Sequence, residues 1–324
     1  MASSCLLPST YFLPKPSAVA FRDGCALTIG NFDGVHIGHQ ALLAHLKRIA
    51  PNLPTCAMTF EPHPREYFAK LHKRPEFIPT KISTLRDKVE RLRQAGVDYV
   101  VLSRFNQLMA QLSPEQFVQK LLLERLNIKH LIVGRDFRFG HKREGNLAYL
   151  QKASRIHGFT IHCLEDILDQ HKQRVSSSEL RNVLEQGNLA QASYLLGQPY
   201  RITGRVIRGK QLGRRIQVPT MNIKVMPHCA VRSGVYVVRV IDAQHRCYAA
   251  VASLGVRPTV EDNGQVLLEV HLLDASINAY GQLICTEFLQ FLRDEEKFPS
   301  LKTMQIAIQK DIREAQHYFD IHGL

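Results

Sequence analysis

The sequence contains no Cys-x-x-Cys pair and no Cys/His run at zinc-finger spacing, so a structural zinc module has no ligands to draw on. Its seven cysteines (Cys5, Cys25, Cys56, Cys163, Cys229, Cys247 and Cys285) are scattered and odd in number. They read as small buried side chains in a reducing compartment, not as a disulfide framework. No apolar run approaches the ~18 residues that span a bilayer. The start, MASSCLLPSTYFLPKPSAVAF, lacks a basic leading segment and is broken by prolines, which argues against a signal peptide. A cytoplasmic protein without a membrane partner is expected. Internal repeats and low-complexity tracts are absent, and so are long basic tracts and basic-aromatic alternation. Lys and Arg total 42 against 29 Asp and Glu, a formal charge of +13. Nucleic acid is therefore not the expected partner; phosphate-rich small molecules are.

What is present divides into two textures. The 324 residues suggest two domains. In the first half, strand-like Cys25–Ile29, Thr55–Phe60, Asp98–Ser103, His130–Val133 and Phe159–Leu164 alternate with helical stretches. These are His39–Ala50, Ser83–Ala95, Ser113 to about Leu126, Asn146–His157 and Ser177–Gln186. Ser113-Pro114-Glu115-Gln116 is a capping-box pattern. The β-α-β-α order predicts a parallel sheet covered by helices, with its ligand at the carboxyl ends of the strands. After Gly187, six short β-rich segments between Tyr200 and Phe291 predict an antiparallel barrel or sandwich. A terminal helix follows, about Ser300–Tyr318. The expected division is a disordered extension at 1–18, a first domain at 19–186 and a second at 187–324.

One stretch, GNFDGVHIGH from Gly30 to His39, draws the chemistry together. A strand ends at Gly30, a loop with Asn31, Phe32 and Asp33 follows, and a helix opens near Ile37. Unpaired N–H groups and the partial positive charge of a helix start suit an anion. Gly38 lets a nucleobase or phosphate approach the backbone. His36 and His39, three apart, share the first turn and can donate to phosphate oxygens as charge develops. Such positioning is most of what nucleotidyl transfer needs, by analogy with phosphoryl transfer. The letters HIGH also occur in class I aminoacyl-tRNA synthetases, but no K-M-S-K-S follows here.

GNFDGVHIGHQ resembles the G-x-F-D-G-V-H-x-G-H-Q signature of the prokaryotic bifunctional riboflavin kinase/FAD synthetase family. Ser176-Ser177-Ser178-Glu179-Leu180-Arg181 is similar to its S-S-T-x-I-R motif, and Thr59 to Pro64 to its T-F-E-P-H-P, which includes His63. Val133-Gly134-Arg135-Asp136-Phe137-Arg138-Phe139-Gly140 is similar to V-G-x-D-F-x-F-G. Because Phe137 and Phe139 alternate, at most one is expected to stack on flavin or adenine. The resemblance implies an HxGH Rossmann-like nucleotidyltransferase domain. There Ser176, Ser177, Ser178 and Arg181 would hold ATP phosphates at a second helix start.

In the second half, Gly204 to Arg215 is a strand running into a basic loop with Gly209, Gly213 and Arg214, able to wrap phosphates through backbone N–H groups. Thr220 and Asn222, two apart on an extended chain, share a face and are candidate oxygen ligands for magnesium. The segment resembles the riboflavin kinase motif G-x-x-x-G-R-x-L-G-x-P-T-A-N. Gln217, Val218 and Met221 depart from it. Leu254 to Thr259, with Arg257, is similar to I-G-x-R-P-T, with Ser253 where Asn is usual. Leu268 to Asp274 matches L-E-V-H-L-L-D, and Tyr280-Gly281 and Leu292-Arg293 match later positions.

The family implies that Glu269 is the general base for the riboflavin 5′-hydroxyl, which is chemically reasonable for a primary alcohol. It also implies a six-stranded antiparallel riboflavin-kinase barrel with a C-terminal helix. The expected activities are phosphorylation of riboflavin by ATP to FMN, and adenylyl transfer from ATP to FMN giving FAD and pyrophosphate. Mg2+ is the expected metal, riboflavin, FMN and ATP the expected partners, and a monomer or weak homo-oligomer the expected state. The departures leave a second reading, an HxGH adenylyltransferase with a weakened or inactive kinase half. The resemblance runs from about Val19 to Asp311.

Overall fold

The computed structural model describes residues 9–15, 21–164, 167–169, 173–209, 218–256 and 266–324. The proposed site residues Gly213, Arg214 and Arg257, the departure Gln217, and Cys5 lie outside the described residues. The chain forms two compact units, 1–79 with 88–176, and 80–87 with 177–324.

The first unit holds a six-stranded sheet in the order β1-β4-β3-β2-β5-β6. Its strands are β1 (Thr10–Leu13), β2 (Cys25–Ile29), β3 (Thr55–Glu61), β4 (Tyr99–Arg104), β5 (Ile128–Gly134) and β6 (Thr160–Leu164). Strands β2 to β6 pair parallel with one another. β2 is buried at every position, as a strand covered on both faces must be. The helices are α1 (Ile37–Ile49), α2 (Pro64–Leu71), α3 (Leu85–Gln94), α4 (Gln107–Gln111), α5 (Pro114–Gln116) and α6 (Leu147–His157). α3 begins inside the 80–87 segment and so starts in the other unit.

Several expectations need correction. The sheet is not wholly parallel: β1 pairs antiparallel with β4, so part of the extension expected to be disordered is a strand. Phe12 explains it, packing at 5.4 Å from Phe21, which in turn meets Tyr99 at 5.2 Å. The Ser113 capping box is present, but only α5 is α-helical; Phe117–Arg125 continues as a wider π-helix. Its inward Phe117, Val118, Leu121 and Leu122 are all buried, and this packing holds the wider turn.

The second unit has α7 (Ser177–Glu185), α8 (Leu189–Leu196) and a closed barrel in the order β10-β11-β8-β7-β12-β9. Its strands are β7 (Tyr200–Ile207), β8 (Met221–Lys224), β9 (Gly234–Ile241), β10 (Cys247–Val256), β11 (Val266–Leu272) and β12 (Leu283–Arg293). All described pairings are antiparallel. Closure removes the exposed edges that an open sheet would leave. The last helix, α9 (Leu301–His322), starts from a Ser300–Thr303 capping box. It packs Ile312, Ala315, Tyr318 and Phe319 against Val235, Val237 and Val251. Among the described residues, no helix is long and apolar enough to cross a membrane.

Candidate active sites

In the first unit the strand order reverses between β2 and β5: β3 and β4 lie to one side of β2, and β5 and β6 to the other. Ligands of open α/β sheets bind at such a switch point, beyond the carboxyl ends of the strands. The Gly30–His39 loop leaves β2 and the Asp136–Gly140 segment leaves β5, so both emerge there.

The loop adopts a costly backbone. Phe32 (φ 48°) and Val35 (φ 46°) are left-handed, as is Gly34 (φ 86°); for a β-branched residue this is a genuine outlier. Burial offsets the strain, since both side chains are only 1% exposed, within the cluster that includes Leu43, Ala57, Leu92 and Val100. Thr59 Oγ1 donates to Asn31 O at 3.0 Å, and Gln40 Nε2 to Val35 O at 2.9 Å. The loop is thus held before any ligand arrives.

His36 is the N-cap of α1, its Nδ1 accepting from the His39 N–H at 3.4 Å. The two rings stack at 3.7 Å between centroids, and Phe32 meets the His39 ring edge-on at 5.1 Å. A Cβ on Gly38 would press to 3.1 Å from His36 Nδ1, so glycine protects the stack. His39 Nδ1 is buried with no hydrogen-bond partner, a cost that a bound acceptor or donor would remove. Burial first, then the charges of His36 and Lys88, hold the His39 imidazole well below its ordinary range. Lys88 is itself buried. Sequence reading missed it because a lysine inside a charged helical stretch carries no local signal.

Asp33 is buried. His63 caps α2, with Nδ1 accepting from Arg65 N at 3.1 Å. Asp136 carries a 2.8 Å ion pair with Arg174, which holds its carboxyl below the usual range. The alternation expected of Phe137 and Phe139 is not found. β5 ends at Gly134, and the two rings stack on each other at 5.6 Å, with Phe139 buried. A turn replaces the strand, so residues two apart face the same side. Phe60, Tyr67, Phe68 and Phe105 add an aromatic cluster beyond β3 and β4, a feature that short-range patterning did not disclose.

In the second unit, Ser177 and Ser178 open α7. Arg181 donates to Thr80 O at 2.7 Å and to Ser177 O at 3.3 Å. On the barrel, Asn222 of β8 lies directly opposite Glu269 of β11, and Glu269 lies opposite Ser253 of β10. Directly opposed residues of an antiparallel pair project to the same face, so Asn222, Glu269 and Ser253 form a row across three strands. Along β11, Glu269 and His271 are partly exposed while Leu268, Val270 and Leu272 are buried. His271 Nδ1 donates to Pro219 O at 2.8 Å, tying down the residue before Thr220.

A cavity of about 120 Å³ is lined by Gly209, Thr220, Met221, Asn222, Val270 and Tyr280, among others. A Cβ on Gly209 would come to 2.4 Å from Asn222 Nδ2, and one on Gly204 to 2.4 Å from Ile223 Cγ2. Both glycines therefore admit β8 closely. The Thr220 hydroxyl and Asn222 amide are neutral oxygen donors. Among the described residues, no cluster of three or more His, Cys, Asp or Glu side chains could hold a metal ion. Two neutral oxygens suit a hard cation whose charge is balanced by substrate phosphates, which is the ordinary situation of Mg2+.

A Rossmann-like sheet with an HxGH loop at its switch point, followed by an antiparallel barrel, defines a two-unit protein of the nucleotidyltransferase class. Residues 19–179 match the FAD synthetase family model and residues 196–319 the riboflavin kinase model. The bifunctional riboflavin kinase/FMN adenylyltransferase of Haemophilus influenzae is 43% identical over 92% of this chain and 95% of its own length. That of Escherichia coli K12 is 41% identical over 93% and 94%. A crystal structure of a macrolide-efflux protein from Streptococcus pneumoniae superposes with TM-score 0.75 at 26% identity, covering 90% of this chain and 94% of that one. The chain belongs to the bifunctional riboflavin kinase/FMN adenylyltransferase family.

Proposed function

We propose that this chain makes FAD from riboflavin in two ATP-dependent steps, phosphorylation on the barrel and adenylylation of FMN on the Rossmann-like unit. The observation that carries the reading is the pair of built loci: a strained, prearranged HxGH loop at the switch point, and Asn222 beside Glu269 on the barrel. The adenylylation domain is assigned to about 19–186 and the kinase domain to 187–324, with 80–87 contributing to the kinase unit.

In adenylyl transfer an FMN phosphate oxygen attacks the α-phosphorus of ATP, and pyrophosphate leaves. His36 and His39 face the developing charge with their ring nitrogens, and the α1 N-terminus adds N–H donors. Gly30, Asn31, Phe32, Asp33 and Gly38 shape the nucleotide cradle, while His63, Asp136 and Phe137 border it. Ser176, Ser177, Ser178 and Arg181 form a phosphate-binding segment.

In phosphoryl transfer Glu269 takes the proton of the riboflavin 5′-hydroxyl as its oxygen attacks the γ-phosphorus. Thr220 and Asn222 would hold a Mg2+ ion, whose chemistry there is to neutralise phosphate charge. Gly204, Gly209, Gly213, Arg214 and Arg257 border the phosphates and flavin. The proposed setting is the cytoplasm, with small-molecule partners and a monomer or weak homo-oligomer. Met221 favours a second reading, a weakened kinase, because it lines the small cavity where the family motif has alanine.

A chromatographic product assay tests both readings. Purified chain receives ATP, magnesium and either riboflavin or FMN. FAD from both is expected; FAD from FMN alone would establish the weakened kinase, and no product from either would overturn the proposal.

A further inference from the structure

The segment that leaves β5 carries two aromatic residues of unequal burial. Gly134, Arg135, Asp136 and Arg138 are exposed and Phe137 is half-buried, whereas Phe139 is only 6% exposed. Phe139 therefore belongs to the core, and Phe137 to the rim beyond the carboxyl end of β5. The two rings lie nearly parallel, 20° apart in plane and 5.6 Å between centroids. The adenylylation reading gives Phe137 a place at the border of the site and gives Phe139 no task.

Phe139 is held on its other sides as well. Phe117, buried at the start of the π-helix, meets it at 5.0 Å, and Tyr149 of α6 meets it edge-on at 5.9 Å. Its backbone exchanges two hydrogen bonds with Gly145, at 3.1 and 2.9 Å, and His141 N donates to Leu112 O at 2.6 Å. A Cβ on Gly145 would fall 2.6 Å from Phe139 Cζ. Gly145 is not left-handed, so its missing side chain makes room for the ring and not for a turn.

We propose that Phe139 is a positioning residue for adenylyl transfer, acting through Phe137, which it holds ready for a flat heteroaromatic ring of the substrates. The inference rests on the proposed place of Phe137 at the border of that site. A rim aromatic that a ligand must immobilise gives up rotamer freedom on binding. A ring already stacked on a buried neighbour has given it up during folding. Near-parallel, offset faces are a favoured arrangement of aromatic rings, and a substrate ring on Phe137 would extend the stack that Phe117 and Phe139 begin. The isoalloxazine of FMN and the adenine of ATP both have such a face. Readiness of this kind favours the bound ground state and the transition state alike, so it acts on KM and not on kcat.

The test is steady-state kinetics of FMN adenylylation by the full-length chain, with folding checked by circular dichroism. FMN is varied at saturating ATP, and ATP at saturating FMN. Phe139→Leu keeps an apolar side chain but loses the ring. It should raise the KM of one substrate about fivefold, with the other KM and kcat within about twofold. A response to FMN assigns the isoalloxazine to Phe137, and a response to ATP assigns the adenine. Gly145→Ala, which presses the Phe139 ring from its place, should raise the same KM. Unchanged KM values in Phe139→Leu overturn the proposal. So does a fall in kcat with both KM values raised, which a general loosening of the unit would give. If Phe139→Leu does not fold, Gly145→Ala decides: one raised KM supports the proposal, and none overturns it. Phe137→Ala runs in parallel. Normal kinetics in that variant would remove Phe137 from the site, a failure of the functional reading distinct from an inert Phe139 beside an important Phe137.

Discussion

His39 combines three features that an ordinary helix-cap histidine lacks: a stacked partner, a buried Nδ1 without a hydrogen bond, and an imidazole held neutral. The sign of its pH effect follows. The unfolded chain takes up a proton near the ordinary value of 6.5, and the folded chain only at lower pH. The stability this group gives is complete above that value and falls as pH drops below it, by at most about 1.4 kcal/mol per pH unit. Thermal unfolding between about pH 7 and pH 5 should show a decline that is shallower in His39→Gln; equal declines would contradict the assignment. At this scale the HxGH histidines were legible because they sit ten residues apart at most from the glycines and acid that give them meaning. Lys88 was not, because it reaches the site through tertiary folding from a stretch that reads as solvated charge.

Elements carry the next layer. The Gly30–His36 loop keeps its left-handed residues only because Phe32 and Val35 are buried under it. Phe32→Ala should therefore do double damage. Loss of the buried ring costs about 3–5 kcal/mol of stability, and a relaxed loop no longer presents His39. Calorimetry and FAD formation from FMN should fall together; retention of full activity at reduced stability would show that the loop does not need its anchor. Long elements with clear periodicity, such as α1 and α6, were legible in the sequence to within a residue or two. α2 was not, since Glu61-Pro62-His63-Pro64 reads as a turn, whereas His63 is an N-cap and Pro64 stands in the first turn of the helix. α8 escaped for another reason: at Leu189–Leu196 it is short, nearly apolar and lodged between two turn-forming glycines, Gly187 and Gly197. The strand pattern alone left barrel and sandwich open, because strand order is set by pairing between distant segments; the family resemblance supplied the closed barrel that the structure has.

At the scale of the whole molecule, the +13 charge suits a protein whose proposed substrates and products, ATP, FMN and pyrophosphate, are all anions. Sequence texture alone could not show that Thr80–Asp87 belongs to the barrel unit. Lys81 pairs with the Cys229 region through bonds from Lys81 N to His228 O at 2.6 Å and from Ala230 N to Lys81 O at 2.9 Å. Asp87, 2% exposed, accepts from Thr203 N at 3.1 Å and from Thr84 Oγ1 at 2.8 Å. Asp87→Ala removes the acceptor of the part-buried Thr203 N–H, at about 1–3 kcal/mol. Denaturant unfolding should register that loss, with riboflavin phosphorylation falling before FMN adenylylation as denaturant rises. A variant as stable as the parent would mean that the segment is incidental to the barrel.

The central claim is that one chain performs two reactions at two independent loci. The most direct measurement is complementation in a single tube. His36→Ala and Glu269→Gln chains, separately and mixed, receive riboflavin, ATP and magnesium, and FAD is followed by chromatography. The account predicts that His36→Ala alone stops at FMN, that Glu269→Gln alone leaves riboflavin untouched, and that the mixture makes FAD. A mixture that makes no FAD, although each variant retains its own remaining step, would contradict it.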